Sequence, residues 1–257
     1  MKIITLLSDW NAKDHYLASV KGKIYSLCPD CRIVDISHNI KTYSVKEAAF
    51  VLRDAYPHFP EGTIHIVSVL SEESGDRVHH LVKAGGQYFI GADNGLFSLV
   101  FGDEMEVYEI DLPMDSFYHS FSTLNRFVPL AIKILQQNSI DKLAIKTDKW
   151  VKKYWLSPLS DRDSITGHIQ YIDVYENLIV NISKELFDKV GNARKFKIFV
   201  RNYTLDALAS SYPDAPEGEL VAFFNSSEWL EIAINQGNAG GLLGLKINDI
   251  IRVEFYL

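Results

Sequence analysis

What most constrains this chain is the order in which two hydrophobic periodicities occur along it. From Lys2 to Ile90, short apolar runs rich in β-branched residues alternate with stripes spaced by three and four. Lys2 to Leu7 reads as a buried strand that stops at Ser8-Asp9. Residues 14 to 27 then place Tyr16, Leu17, Val20, Ile24 and Leu27 on one helical face. Arg32 to Ile36 reads as a second strand ending at Ser37-His38-Asn39, and Val45 to Ala55 as a second helix closed by Pro57 and Pro60. Thr63 to Leu70 is the third strand, and Leu81 to Ile90 folds as a hairpin about Gly85-Gly86. Strands alternating with helices predict a mostly parallel sheet covered on both faces. In such sheets ligands sit beyond the carboxyl ends of the strands.

The pattern then changes twice. Leu112 to Lys149 reads as helical, with Phe127 to Leu135 its best stripe. Trp150 to Thr166 is poor in apolar positions, with Pro158 and the polar run from Ser160 to Ser164, and reads as connecting chain. From Gly167 onward period-two runs dominate: His168 to Val174, Leu178 to Ile182, Lys195 to Val200, Leu220 to Phe224 and Ile250 to Tyr256. The expected architecture is therefore an N-terminal α/β domain over 1–157, a linker over 158–166, and a smaller all-β, barrel-like domain over 167–257.

Charge and cysteine usage narrow the function. Twenty-six Lys and Arg stand against 33 Asp and Glu, giving a net charge of −7 with no dense basic run, which argues against nucleic acid as a partner. The longest apolar stretches, Ile3 to Leu7 and Leu220 to Phe224, fall far short of the ~20 residues that span a bilayer. The first runs into Ser8-Asp9 with no cleavage-site pattern, so no membrane association and a cytoplasmic location are expected. The only cysteines form Cys28-Pro29-Asp30-Cys31. Two intervening residues suit a redox pair or half a zinc site, but no second ligand pair follows; a turn at a helix end is the expectation, with no metal.

Six short motifs occur in order along the chain. They are Ser8-Asp9-Trp10; Asp35-Ile36-Ser37-His38-Asn39-Ile40; Phe59-Pro60-Glu61-Gly62-Thr63-Ile64-His65; Ala92-Asp93-Asn94-Gly95-Leu96; Tyr171-Ile172-Asp173 with Asn177-Leu178-Ile179; and Leu230-Glu231-Ile232-Ala233 with Gly237-Asn238-Ala239. Together they resemble the S-adenosylmethionine hydroxide adenosyltransferase family, related to the S-adenosylmethionine-dependent fluorinase and chlorinase. The resemblance implies an N-terminal α/β domain and a C-terminal β-barrel. It also implies a homotrimer whose sites lie between subunits, with S-adenosylmethionine as substrate and no separate cofactor. The implied chemistry is attack on ribose C5′ with expulsion of methionine: water yields adenosine, halide a 5′-halo-5′-deoxyadenosine.

The resemblance places roles on individual residues. Asp9 stands at the ribose-binding position, where one carboxylate can accept from both hydroxyls; read alone, it could cap a helix. Trp10 departs from the family's usual Asp-Phe-Gly and either lines the site or packs in the core. Asp173 and Ser226 match methionine-binding positions, Asn177 an adenine contact, and Ser227 falls where halogenating relatives carry Arg. Tyr175 either stacks on adenine, worth ~1–3 kcal/mol, or packs across strands. Asp35, His38 and Asn94 read more simply as loop and turn residues.

The family's hydrolytic set, an Asp, an Arg and a His, is broken. Arg77 is retained, Leu70 replaces the Asp, and Ser122 replaces the His. Glu72, Glu73 and His119 are nearby substitutes for the missing groups. The expected function is weak hydrolysis of S-adenosylmethionine to adenosine and methionine. The alternatives are a non-catalytic S-adenosylmethionine or adenosine binder and a halide-using relative.

Overall fold

A computed structural model of the chain describes residues 2–72, 74, 77–113, 120–137, 140 and 142–257. They form two compact units, Met1–Tyr154 and Trp155–Leu257.

The first unit runs β1 (Ile3–Ser8), α1 (Tyr16–Leu27), β2 (Arg32–Ser37), α2 (Val45–Ala55), β3 (Ile64–Ser68), β4 (His79–Ala84), β5 (Gln87–Ala92), α3 (Leu96–Phe101), β6 (Glu106–Ile110), α4 (Val128–Gln137) and β7 (Ala144–Thr147). Its strands make one 7-stranded sheet in the order β2-β1-β3-β5-β4-β6-β7. β2, β1, β3 and β5 run parallel, while β4, β6 and β7 join antiparallel, so the sheet is mixed. The β4–β5 hairpin turns on Gly85 and Gly86, both at positive φ (53° and 73°), as a primed turn demands. Ile4, Leu6, Ile64, Ile66 and Ile90 are buried against Val20 and Ile24 of α1 and Phe127, Leu130 and Ile134 around α4.

Three expectations change here. The stretch read as helical from Leu112 to Lys149 contains β7, which is only four residues long and leaves Ile145 62% exposed, too short to show a strand period. Leu27 ends its helical stripe 45% exposed, because α1 stops there and Cys28 turns inward instead. Cys28 and Cys31 are joined in a disulfide across that helix end, Cα atoms 5.5 Å apart. Among the described residues no three His, Cys, Asp or Glu side chains gather to hold a metal ion.

The second unit contains β8 (Leu159–Ser160), β9 (Ser164–Ile172), β10 (Leu178–Ser183), α5 (Lys184–Gly191), β11 (Lys195–Val200), β12 (Tyr203–Leu205), β13 (Leu220–Phe224), β14 (Trp229–Ile234), α6 (Ala239–Leu243) and β15 (Ile250–Tyr256). Its antiparallel, barrel-like sheet has the order β12-β11-β15-β9-β10-β14-β13, with β8 on β9. Alternate residues, among them Ile165, Ile169, Val180, Ile182, Ile198, Val200, Leu230, Ile232, Ile251 and Val253, fill the interior. The segment expected to be linker, 158–166, instead holds β8 and the start of β9. Asp161 makes the hairpin between them by accepting from the Asp163 and Ser164 amides at 2.9 and 2.7 Å, chemistry that a count of apolar residues does not register. Among the described residues no helix is long and apolar enough to cross a membrane.

One buried polar group makes the first unit sensitive to acid. His65 on β3 accepts from the Thr5 hydroxyl at Nδ1 (2.7 Å), donates from Nε2 to Gln87 Oε1 (2.6 Å) and stacks on Phe89. Burial pushes its pKa down to about 4, against the opposing bond from Gln87. The unfolded chain therefore binds a proton below ~6.5 that the folded chain refuses until about 4. Stability should fall as pH drops through that window, by up to about 3 kcal/mol from this residue. Urea unfolding at pH 7 and 4.5 checks this: wild type should lose more stability than His65→Gln, and equal losses would contradict it.

Candidate active site

The site is built where the parallel strands end. The chain leaves β1 toward β2 on one side and reaches β3 on the other, so the carboxyl ends of β1 and β3 flank a point where the connections diverge. A cleft of about 380 Å³ opens there. Asp9 and Trp10 follow β1, Thr42 and Tyr43 lie in the connection after β2, Leu70, Ser71 and Glu72 follow β3, and Ser120, Phe121 and Ser122 precede α4. Asp14 adds a third carboxylate to those of Asp9 and Glu72, and among the described residues no Lys or Arg lines the cleft. Its electrostatics favour a cationic or hydroxyl-bearing ligand over an anion.

Asp9 is not a helix cap, since α1 is preceded by His15. Its Oδ2 accepts from the Tyr43 amide at 2.8 Å. Tyr43 makes that contact at φ 64°, and Asn11 (φ 55°) and Leu70 (φ 48°) also line the cleft in left-handed conformations. Such backbone is unfavourable for Tyr and Leu and persists only where neighbours impose it. For Leu70 the neighbours are visible. Asn94 Nδ2 donates to the Val69 carbonyl at 2.9 Å and His79 Nε2 donates to the Ser71 carbonyl at 2.9 Å, so both flanking carbonyls are held. His79 Nδ1 in turn accepts from Arg126 at 3.0 Å.

The wall formed by Ser120, Phe121 and Ser122 runs into a π-helical turn, Thr123–Phe127, that leads to α4. Thr123 ties it to β3 by donating to the Ser68 hydroxyl at 2.7 Å. Ser122, 2% exposed, has a hydroxyl with no hydrogen-bond partner among the described residues. A buried orphan hydroxyl lining a cleft is the kind of group a ligand or water satisfies. Trp10 both lines the site and packs, with Phe121 edge-on at 5.4 Å and Tyr16 at 6.0 Å.

Arg77 is not among the cleft-lining residues; its guanidinium donates to the Glu72 carbonyl at 3.3 Å and so holds the loop that is. Glu73 and His119 lie outside the described residues. Asp35 and His38 are not among the cleft-lining residues and form a chain with Ser8: Ser8 Oγ to His38 Nδ1 at 2.7 Å, then His38 Nε2 to Asp35 at 3.0 Å. Burial alone would raise the Asp35 pKa, but the bonds from Lys21 and His38 outweigh it and hold the carboxyl below its usual value.

In the second unit, Asp173, Tyr175 and Asn177 share the turn between β9 and β10. Asp173 Oδ1 accepts from the Tyr175 and Asn177 amides (2.9 and 2.8 Å) and Oδ2 from Asn177 Nδ2 (3.0 Å). Tyr175 is 72% exposed, which removes the cross-strand packing alternative. Ser226 and Ser227 are exposed in the turn between β13 and β14, shaped by Asn225 Oδ1 accepting from the Ser227 and Trp229 amides. The sequence reading missed Tyr43, whose role is a backbone one with no composition signal, and Asn225. It also gave no role to Glu231, a charge inside a buried strand run, which was a visible signal.

The fold and cleft define a two-unit protein with an acidic strand-end site on its α/β unit. Comparison with known proteins narrows this. The SAM hydroxide adenosyltransferase N-terminal domain matches residues 4–144 and the corresponding C-terminal domain residues 167–252. The chain belongs to the SAM hydroxide adenosyltransferase family. It is similar to (R)-S-adenosyl-L-methionine hydrolase of Methanocaldococcus jannaschii, 26% identical over 99% of this chain and 97% of that one. It is likewise 26% identical to the fluorinase of Nocardia brasiliensis, over 98% and 96% of the two chains. An uncharacterized conserved protein from Thermotoga maritima shares the fold at a TM-score of 0.86 and 26% identity, over 98% and 99% of the chains.

The account of Leu70 predicts that Asn94→Ala, which strips the Val69 carbonyl and the Leu96 amide of a buried partner, destabilises the protein by about 1–3 kcal/mol. Urea midpoints measure it; a change below about 0.5 kcal/mol, the range of an ordinary surface substitution, would show that the bond holds nothing.

Proposed function

We propose that this protein binds S-adenosylmethionine and hydrolyses it to adenosine and methionine, slowly, with no separate cofactor. The observation that carries the reading is Asp9, presented at the end of β1 with one carboxylate oxygen anchored by Tyr43, in a cleft lined, among the described residues, by three carboxylates and no cation. Such a cleft suits a sulfonium nucleoside with two ribose hydroxyls. Water attacks C5′, the C5′–S bond breaks with its electron pair passing to sulfur, methionine leaves neutral at sulfur, and the water's proton goes to solvent or a nearby base. Asp173, Asn177, Tyr175, Ser226 and Ser227 are the second-unit residues assigned to methionine and adenine. Membership of the family and the similarity to chains named as hydrolases support this reading.

Slow turnover follows from two side chains. Leu70 offers no lone pair to orient water, and the Ser122 hydroxyl is no base near neutral pH. Ser122 can still hold a water or an anion through its unpartnered hydroxyl. The acidic lining makes water the favoured nucleophile, since a halide would enter against three carboxylates. Arg77 acts through the Glu72 carbonyl rather than by lining the site. A protein that binds and never turns over is the second reading, favoured by the same two substitutions. We further propose a homotrimer with sites shared between subunits and a cytoplasmic location.

Three outcomes check these proposals. Asp9→Ala should weaken adenosine or S-adenosylmethionine binding in calorimetry by ~1–3 kcal/mol, through hydroxyls left unpaired, and equal affinity would contradict the ribose role. Leu70→Asp combined with Ser122→His should raise adenosine release at least about tenfold, the pair being needed because such groups act as a unit. If the unaltered protein is already as fast as the double variant, the slow-turnover argument is wrong. Light scattering at micromolar concentration should give three times the 29.2 kDa chain mass, and a monomer would contradict the shared site.

A further inference from the structure

Glu231 is a buried carboxylate that the proposed mechanism does not use. It lies on β14 and is 4% exposed. Its neighbours Leu230 and Ile232 point into the barrel, so by strand alternation Glu231 is on the other face, with Phe223 its partner across β13. There the short helical turn Tyr212–Asp214 covers it, with the Tyr212 ring edge-on to Phe223 at 4.9 Å. A buried carboxylate is costly unless its lone pairs are taken. Glu231 Oε1 accepts from the Tyr212 hydroxyl at 2.6 Å and Oε2 from Asn225 Nδ2 at 3.1 Å. Burial and the bond to Glu231 both push the Tyr212 pKa upward, so the phenol keeps the proton it donates.

The bonds continue outward on both sides. Asn177 Nδ2 donates to the Tyr212 oxygen at 3.3 Å and to Asp173 Oδ2 at 3.0 Å. Asn225, having given its amide to Glu231, uses its own oxygen to accept from the Ser227 and Trp229 amides at 3.0 and 3.2 Å. One unbroken chain, Asp173–Asn177–Tyr212–Glu231–Asn225, thus joins two turns that are far apart in sequence. Each turn contains a non-glycine residue in the left-handed region, Glu176 at φ 61° and Glu228 at φ 60°. Neither turn is therefore the relaxed choice of its own sequence, and each needs an outside restraint.

We propose that Glu231 and Tyr212 are positioning residues: they lock the 173–177 and 225–229 turns in a single relative geometry, and so set affinity for the nucleoside and amino-acid parts of the substrate without touching it. This rests on the functional reading above, which assigns those two turns to ligand. Because the lock acts on the ground-state site and not on the reacting atoms, its loss should raise KM and spare kcat.

The test uses Tyr212→Phe, which removes one hydroxyl and keeps the ring on Phe223, with Glu231→Ala and Glu231→Gln beside it. Tyr212→Phe should raise KM for S-adenosylmethionine, and Kd for adenosine, at least about fivefold with kcat within about twofold, the size expected for one lost bond in the chain. Glu231→Ala should do worse, and Glu231→Gln, which keeps one acceptor, should recover part of the loss. The side-chain amide signals of Asn177 and Asn225 should both move in the 15N spectrum of Tyr212→Phe. Wild-type protein that binds neither adenosine nor S-adenosylmethionine overturns the functional reading on which this rests. Wild-type protein that binds, with Tyr212→Phe binding equally well or losing only kcat, overturns the positioning role alone. So does an Asn225 signal that stays in place when the hydroxyl is removed.

Discussion

Everything in the α/β unit's site depends on where β1 stops. Its residues are buried from Ile3 through Ser8, between β2 and β3, so its register is fixed on both sides. At the last step Ser8 is turned to His38, and Asp9 is left to emerge into the cleft with its carboxylate on the Tyr43 amide. Strand alternation makes this a single decision: a slip of one residue would bury the carboxylate and expose the hydroxyl. Tyr43 and Leu70 accept left-handed backbone around that point, and their strain is offset by side-chain bonds from Asp9, Asn94 and His79.

The cleft that results carries groups suited to holding a ligand, and the proposal of slow turnover rests on two of its other side chains. Three carboxylates, an aromatic cluster of Trp10, Tyr16 and Phe121, and a buried unpartnered Ser122 hydroxyl surround the cleft. Leu70, which carries no lone pair, and Ser122, whose hydroxyl is no base near neutral pH, line the same cleft.

Much of the scaffold was legible because burial and period coincide in it. β1, α2, the β4–β5 hairpin and the barrel strands are stretches where apolar residues alone mark the element. The misread pieces are those held by polar or edge chemistry. β7 is too short and too exposed to carry a period, and the β8–β9 hairpin depends on the Asp161 carboxylate. Site legibility divides the same way. The motifs singled out Asp9, Trp10, Leu70 and Ser122, and the fold places all four around one cleft, whose role as a ligand site is proposed. Arg77 was found too, but it reaches the Glu72 carbonyl instead. Tyr43 contributes a backbone amide, which no side-chain motif can announce, and the Asn225–Glu231–Tyr212 chain links residues whose proximity exists only in the folded barrel.

The proposed reaction is attack of water on the ribose C5′ of S-adenosylmethionine. The most direct measurement is mass spectrometry of the products after prolonged incubation with S-adenosylmethionine in 18O-labelled water, with chloride and fluoride present. The account predicts methionine and adenosine in equal amounts, the adenosine carrying one 18O at its 5′-hydroxyl. Unlabelled adenosine, a 5′-halo product, or no product beyond the uncatalysed background would contradict it.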